Sequence, residues 1–288
     1  MRLATIETWA GPRAALVVGE SLIDIHATEP DLSPNLRHLL EGGLQTMQAV
    51  AGLANHPKAT RYALAQAKFH APIVDPRKII CVGLNYRDHA AESGSPIPKD
   101  PVLFSKYPTA LIGHGETIVL PKVSEEVDYE AELVIVIGKK GRHIAKSNAR
   151  DYVAGYAVGH DVSARDWQLK KDGKQWMVGK TFDTFAPVGP MLVTRDEVPD
   201  PCNLPIRLKL NGNVMQESNT QQMIFNVEDL LAYISQVVTL EPGDLIFTGT
   251  PPGVGNARKP PVFLKDGDVA EVEIDGLGVL RNPVRKEK

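Results

Sequence analysis

Apolar positions along the chain fall into short runs rather than long helical stripes. LATIE, ALVV and LIDI open the sequence as β-like segments, and Gly19-Glu20 between the last two predicts a hairpin. Ser33 reads as an N-cap with Pro34 at the first helical position. Gly42-Gly43 closes that helix just after Leu39-Leu40, with more helix expected to about Gln66. After Asp75-Pro76 the texture changes to β-runs broken by Gly and Pro: KIICVG, ELVIVIG, YAVGHDV, PIRLKLNG, DLIFTG and VAEVEIDG. Helices are expected only around Arg87 to Glu92, Asn148 to Tyr152, Ala164 to Lys170 and Val227 to Thr239. The prediction is an α+β, β-rich chain, with a small N-terminal α+β domain over 1–74 and a larger β-rich domain over 75–288. Turn dipeptides such as Asp266-Gly267 and Asp275-Gly276 suit a β-roll or barrel.

Composition narrows the function classes. A chain of 288 residues with 43% hydrophobic and 23% charged positions folds as an ordinary globular protein. A net charge of −3 with dispersed Lys and Arg lacks the basic stripe that nucleic-acid phosphates require, so no nucleic-acid partner is expected. Cys81 and Cys202 lie far apart and form neither a disulfide framework nor a cysteine zinc site. The longest apolar run, Leu133 to Ile137, is far short of a membrane span, and the opening residues carry no signal-peptide core. The expected location is cytoplasmic, or the mitochondrial matrix for a eukaryotic source.

Several residues then stand out for their chemistry. In DYEAELVIVIG, Asp128, Glu130 and Glu132 recur at period two, so one strand would point all three carboxylates from one face. Such oxygen donors hold Mg²⁺, Mn²⁺ or Ca²⁺ in preference to zinc; a solvated edge strand is the plainer alternative. Asp161 follows an apolar run and precedes a helix, where it is either a third acidic ligand or a helix cap. His89 and Glu92 are three apart, a spacing that lets a helical carboxylate orient an imidazole as a general base, or forms only a surface pair. Lys180 is flanked by apolar residues and is either buried beside developing negative charge or a snorkelling surface lysine. TGTPPGVG offers backbone amides to a carboxylate, while the absence of GxxxxGK[ST] and GxGxxG argues against a nucleotide. KKDGKQ, Lys170 to Gln175, reads as a polar loop and a candidate lid.

In this order NYRDHAAE, DYEAEL, GHDVSARDWQ, GKTFDTFAPVGP and TGTPPGVG resemble the fumarylacetoacetate hydrolase family, over about Lys78 to Val284. ARDWQ, GKQW, GKTFDTF and KPPVFLKDGD look most like its domain-containing protein 2 subgroup. The resemblance implies a mixed β-roll fold and a homodimer. It also implies Glu130, Glu132 and Asp161 as ligands of Mg²⁺ or Mn²⁺, with Ca²⁺ as a substitute, and His89 with Glu92 as the water-activating dyad. Lys180 is then the lysine beside the substrate oxyanion, and Arg165, Gln168 and Thr250 help to hold the substrate. The implied substrate is a small 2-oxo or 2,4-dioxo acid. Hydrolysis of an acylpyruvate-type C–C bond through a metal-stabilised enolate is placed slightly ahead of oxaloacetate keto–enol tautomerisation or decarboxylation. A catalytically silent metal-binding scaffold is a lesser alternative, disfavoured because a scaffold has no need for base, lysine and three carboxylates together.

Overall fold

A computed structural model of the chain describes all 288 residues. Ten strands of the main sheet run edge to edge in the order Arg61–Ala63, Ser21–Asp24, Gly11–Val18, Arg2–Thr8, Ala186–Thr194, Val153–His160, Ala131–Ile137, Leu245–Phe247, Ile79–Gly83 and Val102–Lys106. Most pairs are antiparallel, but Leu245–Phe247 runs parallel to Ile79–Gly83, so the sheet is mixed. A second, five-stranded sheet is built around Pro205–Leu210 and Val269–Ile274 and completes a β-rich α+β fold. The strand Ala131–Ile137 is buried at every position, as its unbroken apolar run requires when both faces are covered. The amphipathic helix Val227–Val237 supplies Leu230, Leu231 and Ile234 to the core between the sheets and starts from a capping box of Asn226 and Asp229.

The predicted hairpin forms, with Val18 opposite Ser21. Its inner neighbour Arg2–Thr8 pairs with Ala186–Thr194, and Leu3, Leu16 and Ile23 share one apolar cluster with Val134, Ala157 and Phe247. The helix predicted from Ser33 differs in the structure: it spans Leu36–Glu41, and Asn35 caps it by accepting from the amides of Arg37 and His38. Ser33, two residues before that cap, instead accepts from the Asn35 amide, a local bond that competes with capping. Helix continues only through Gly43–Gly52 and a short 3₁₀ turn, after which Arg61–Ala63 joins the sheet edge. No helix is long and apolar enough to cross a membrane.

Candidate active site

The strand Ala131–Ile137 pairs antiparallel with Val153–His160, placing Ala131 opposite His160. The residues just beyond that pair therefore meet: the Asp161 amide donates to the Glu130 carbonyl at 2.9 Å. Register alone thus gathers carboxylates from two strands. Oxygens of Glu130, Glu132 and Asp161 all lie within 4.8 Å of one another, and all three side chains are buried. Asp161 caps no helix, since the following helix Arg165–Leu169 starts at Ala164 without a side-chain bond.

Asp128 does not join them. The extended run breaks at Tyr129–Glu130, between the short strand Val127–Asp128 and Ala131–Ile137, so the period-two expectation fails for its first member. Asp128 instead accepts from Arg165 Nε at 2.8 Å and from the amides of Gly255 and Asn256. Arg165 also donates to Glu130 Oε1 at 2.6 Å and to Gln168 Oε1 at 2.8 Å. Asp128 is therefore the anchor that aims Arg165. Replacing it as Asp128→Asn should raise KM by roughly tenfold or more with a smaller change in kcat, in the manner of outer partners that orient a binding group. Steady-state kinetics checks this, and an unchanged KM would remove the assigned role.

Two lysines complete the cluster. Lys180, on the helix Trp176–Lys180, is buried and donates to Glu130 Oε2 at 2.6 Å and Asp161 Oδ2 at 2.8 Å. Lys106 was not singled out in the sequence, where FSKYP carries no spacing signal; it lies 2.7 Å from Asp161 Oδ1. Its protons are aimed at the carbonyls of Val162, Lys180 and Phe185, so that contact is an ion pair without hydrogen-bond alignment. Burial alone would raise Glu130, but the charges of Lys180 and Arg165 outweigh it and hold Glu130 down at about 2. Glu132 is pushed well above the usual carboxylate range by burial and by the charges of Asp161 and Glu130. Burial tends to lower Lys180, but the charges of Asp161 and Glu130 raise it.

His89 Nδ1 lies 3.0 Å from Glu92 Oε2 on the helix Arg87–Ser93, which leaves Nε2 as the proton-accepting nitrogen of the neutral ring. Glu92 is fixed from its other side by the Gly253 amide at 2.8 Å, and together His89 and that amide lower it against the effect of burial. The TGTPPGVG amides thus receive carboxylates of the chain itself: Gly249 donates to Glu132, Gly253 to Glu92 and Gly255 to Asp128. Gly253 has φ +101°, and a Cβ there would lie 2.2 Å from the Met215 carbonyl, so only glycine lets the loop approach. Thr250 donates to the Ala131 carbonyl and accepts from Gln216, a buried residue that sequence reasoning missed because it lies in an otherwise ordinary strand.

His89, Glu130, Glu132, Asp161, Arg165, Gln168, Lys180 and Thr250 all border one cavity of about 80 Å³, and Glu92 reaches it through His89. The donor set fits a divalent cation. Asp161 Oδ1 is buried without a hydrogen bond, and Glu132 accepts only from the Gly249 amide, with no salt-bridge partner. Four buried carboxylates, Asp128 included, face three buried cations, so all four can be ionised together only with a further positive charge, and without one Glu132 is pushed towards its neutral form.

A fold of this kind around three acidic groups, a His–Glu dyad and a buried lysine defines an enzyme of one family. The model of the fumarylacetoacetate (FAA) hydrolase C-terminal domain matches residues 78–285, and the chain belongs to the fumarylacetoacetate hydrolase family. It is 50% identical over 277 residues to the mitochondrial oxaloacetate tautomerase fahd2 of Xenopus laevis, covering 95% of this chain and 86% of the relative. The human mitochondrial oxaloacetate tautomerase FAHD2A is likewise 50% identical over 276 residues, covering 95% and 88%. Among solved structures, maleylpyruvate hydrolase from Sphingobium sp. SYK-6, in complex with manganese(II) and pyruvate, superposes over the whole of both chains with a TM-score of 0.82 at 34% identity. The resemblance to the domain-containing protein 2 subgroup is borne out.

Proposed function

We propose that the protein is a divalent-metal-dependent oxaloacetate keto–enol tautomerase, with Glu130, Glu132 and Asp161 as ligands of Mg²⁺ or Mn²⁺. The observation that carries this reading is the 50% identity over 95% of the chain to oxaloacetate tautomerases. It moves tautomerisation ahead of the hydrolysis that the motifs had placed first. A bound divalent cation supplies Lewis acidity at the C2 carbonyl of the substrate. Arg165 and Gln168 orient a substrate carboxylate at the cavity wall. His89 Nε2, held in one tautomer by Glu92, removes a proton from C3. The C–H electron pair forms the C2=C3 bond, the carbonyl π pair moves to oxygen, and Lys180 Nζ delivers a proton to that oxygen and regains one from solvent as His89 releases the proton it took up. Ketonisation runs the same path backwards.

Hydrolysis of an acylpyruvate is kept as a second reading because the maleylpyruvate hydrolase shares the fold throughout and the same His–Glu pair would activate water. Oxaloacetate decarboxylation and a silent scaffold rank behind it. The homodimer belongs to the same proposal, and the relatives' mitochondrial designation favours the matrix for a eukaryotic source.

The test is to mix enol-rich oxaloacetate with Mn²⁺-loaded protein, follow the enol absorbance and assay pyruvate in the same sample. Accelerated loss of absorbance without pyruvate is expected; stoichiometric pyruvate would move the assignment to decarboxylation. Acetylpyruvate cleavage in a parallel sample would favour the hydrolase. His89→Ala should lower turnover by about 10²- to 10⁴-fold with Mn²⁺ affinity retained. Calorimetry with stopped-flow kinetics reads both, and a loss below about threefold would rule out His89 as the base.

A further inference from the structure

Opposite its polar and charged side chains the cavity is lined by Val82, Gly83, Leu84, Phe104 and Trp176, and it is small, about 80 Å³. Leu84 has φ +51°, in the left-handed region that crowds an L side chain. Glycine would adopt this backbone without strain, yet leucine stands there. The neighbours hold it in place: Asn85 is fully buried, donates to the carbonyls of Phe225 and Thr248, and accepts from the Phe225 amide. The Asn85 carbonyl also accepts from the Ile224 amide at 2.7 Å. On the other side, a Cβ on Gly83 would lie 2.3 Å from the Trp176 ring, so the indole rests directly on the Gly83 backbone. Trp176 in turn packs edge-on against Phe104, with ring centroids 5.8 Å apart. Strain that the surroundings over-determine, at a residue bordering the reacting cavity, marks a side chain that is used.

We propose that Leu84 is a specificity-determining residue, an apolar stop that with Trp176 limits the chain length of the 2-oxo acid the cavity accepts. This rests on the reading of the cavity as a 2-oxo acid site. The left-handed backbone fixes the position of the stop, and the glycine beside it lets Trp176 close the wall.

The experiment titrates Mn²⁺-loaded wild type, Leu84→Ala and Leu84→Gly with pyruvate and 2-oxohexanoate by calorimetry. Leu84→Ala keeps the backbone crowding and removes side-chain volume; Leu84→Gly removes both, so it should melt above Leu84→Ala and serves if the alanine variant folds poorly. In either variant the ratio of the 2-oxohexanoate Kd to the pyruvate Kd should fall by about tenfold or more, the discrimination that one or two methylenes carry in an apolar pocket. A ratio unchanged within about twofold, in a wild type that does bind pyruvate, overturns the role of Leu84 alone. A wild type that binds neither acid and leaves oxaloacetate unturned overturns the cavity reading and the Leu84 role together.

Discussion

Asp161→Asn is expected to abolish saturable Mn²⁺ binding, read by electron paramagnetic resonance, and to lower turnover by roughly 10³-fold or more. The magnitude follows from losing a Lewis acid that stabilises developing charge by several kcal/mol, at about 1.4 kcal/mol per decade of rate. The substitution keeps the shape of the side chain and removes one charge. It also removes one of the charges that push Glu132 up, so Glu132 can ionise in its place and keep the carboxylates in balance with Lys106, Arg165 and Lys180, and the fold should survive. A thermal melt close to that of the wild type, together with lost metal binding, is the expected pair of results. Full Mn²⁺ affinity in this variant would sink the assignment of Asp161 as a ligand.

Lys180→Met acts on the same cluster with the opposite sign. It leaves Glu130 and Asp161 without their shared ammonium, and breaking a buried pair in this way costs about 3–5 kcal/mol. The metal-free variant should melt lower by on the order of 10 °C. Mn²⁺ should recover much of that loss, because a cation bound only by the folded state stabilises it by mass action. The pH dependence follows from Glu130. Its carboxyl is held at about 2 against an ordinary value of 4.5, so in the wild type its stabilising contribution is present above pH 4.5 and fades as pH falls towards 2. Without Lys180 that depression shrinks, and the acid-unfolding midpoint of the variant should shift upward. Calorimetric melts across pH 3 to 7, with and without Mn²⁺, check both effects. A variant as stable as the wild type without metal would show that Lys180 does not neutralise this cluster.

Much of the site was legible because part of it is local. His89 and Glu92 lie three apart on one helix, and Glu130 and Glu132 lie two apart beside a strand buried on both faces. Such relations depend on helix and strand periodicity, which the amino-acid sequence carries directly. The β-rich texture after Asp75 and the hairpin at Gly19-Glu20 were legible for the same reason. The five spaced motifs supplied the family, and with it the expectation that Asp161 and Lys180 belong to the cluster.

What only the tertiary structure decided are relations between distant residues. Strand register brings Asp161 against Glu130, 31 positions earlier in the chain, through the pairing of Ala131 with His160. Period two alone would have kept Asp128 beside Glu130, but a break at Tyr129 turns it towards Arg165 and the Gly255 amide. Lys106 carried no signal, since a lysine followed by Tyr and Pro looks like any strand end until three distant carbonyls converge on its ammonium. The amides of TGTPPGVG were recognised as donors to a carboxylate, but which carboxylates they hold depends on where the loop packs. Sequence thus determined which groups are present and which local pairs they form, because those depend on chain periodicity and side-chain chemistry. Register, burial and the balance of buried charge are properties of the packed whole, and they decided which of those groups share one cavity.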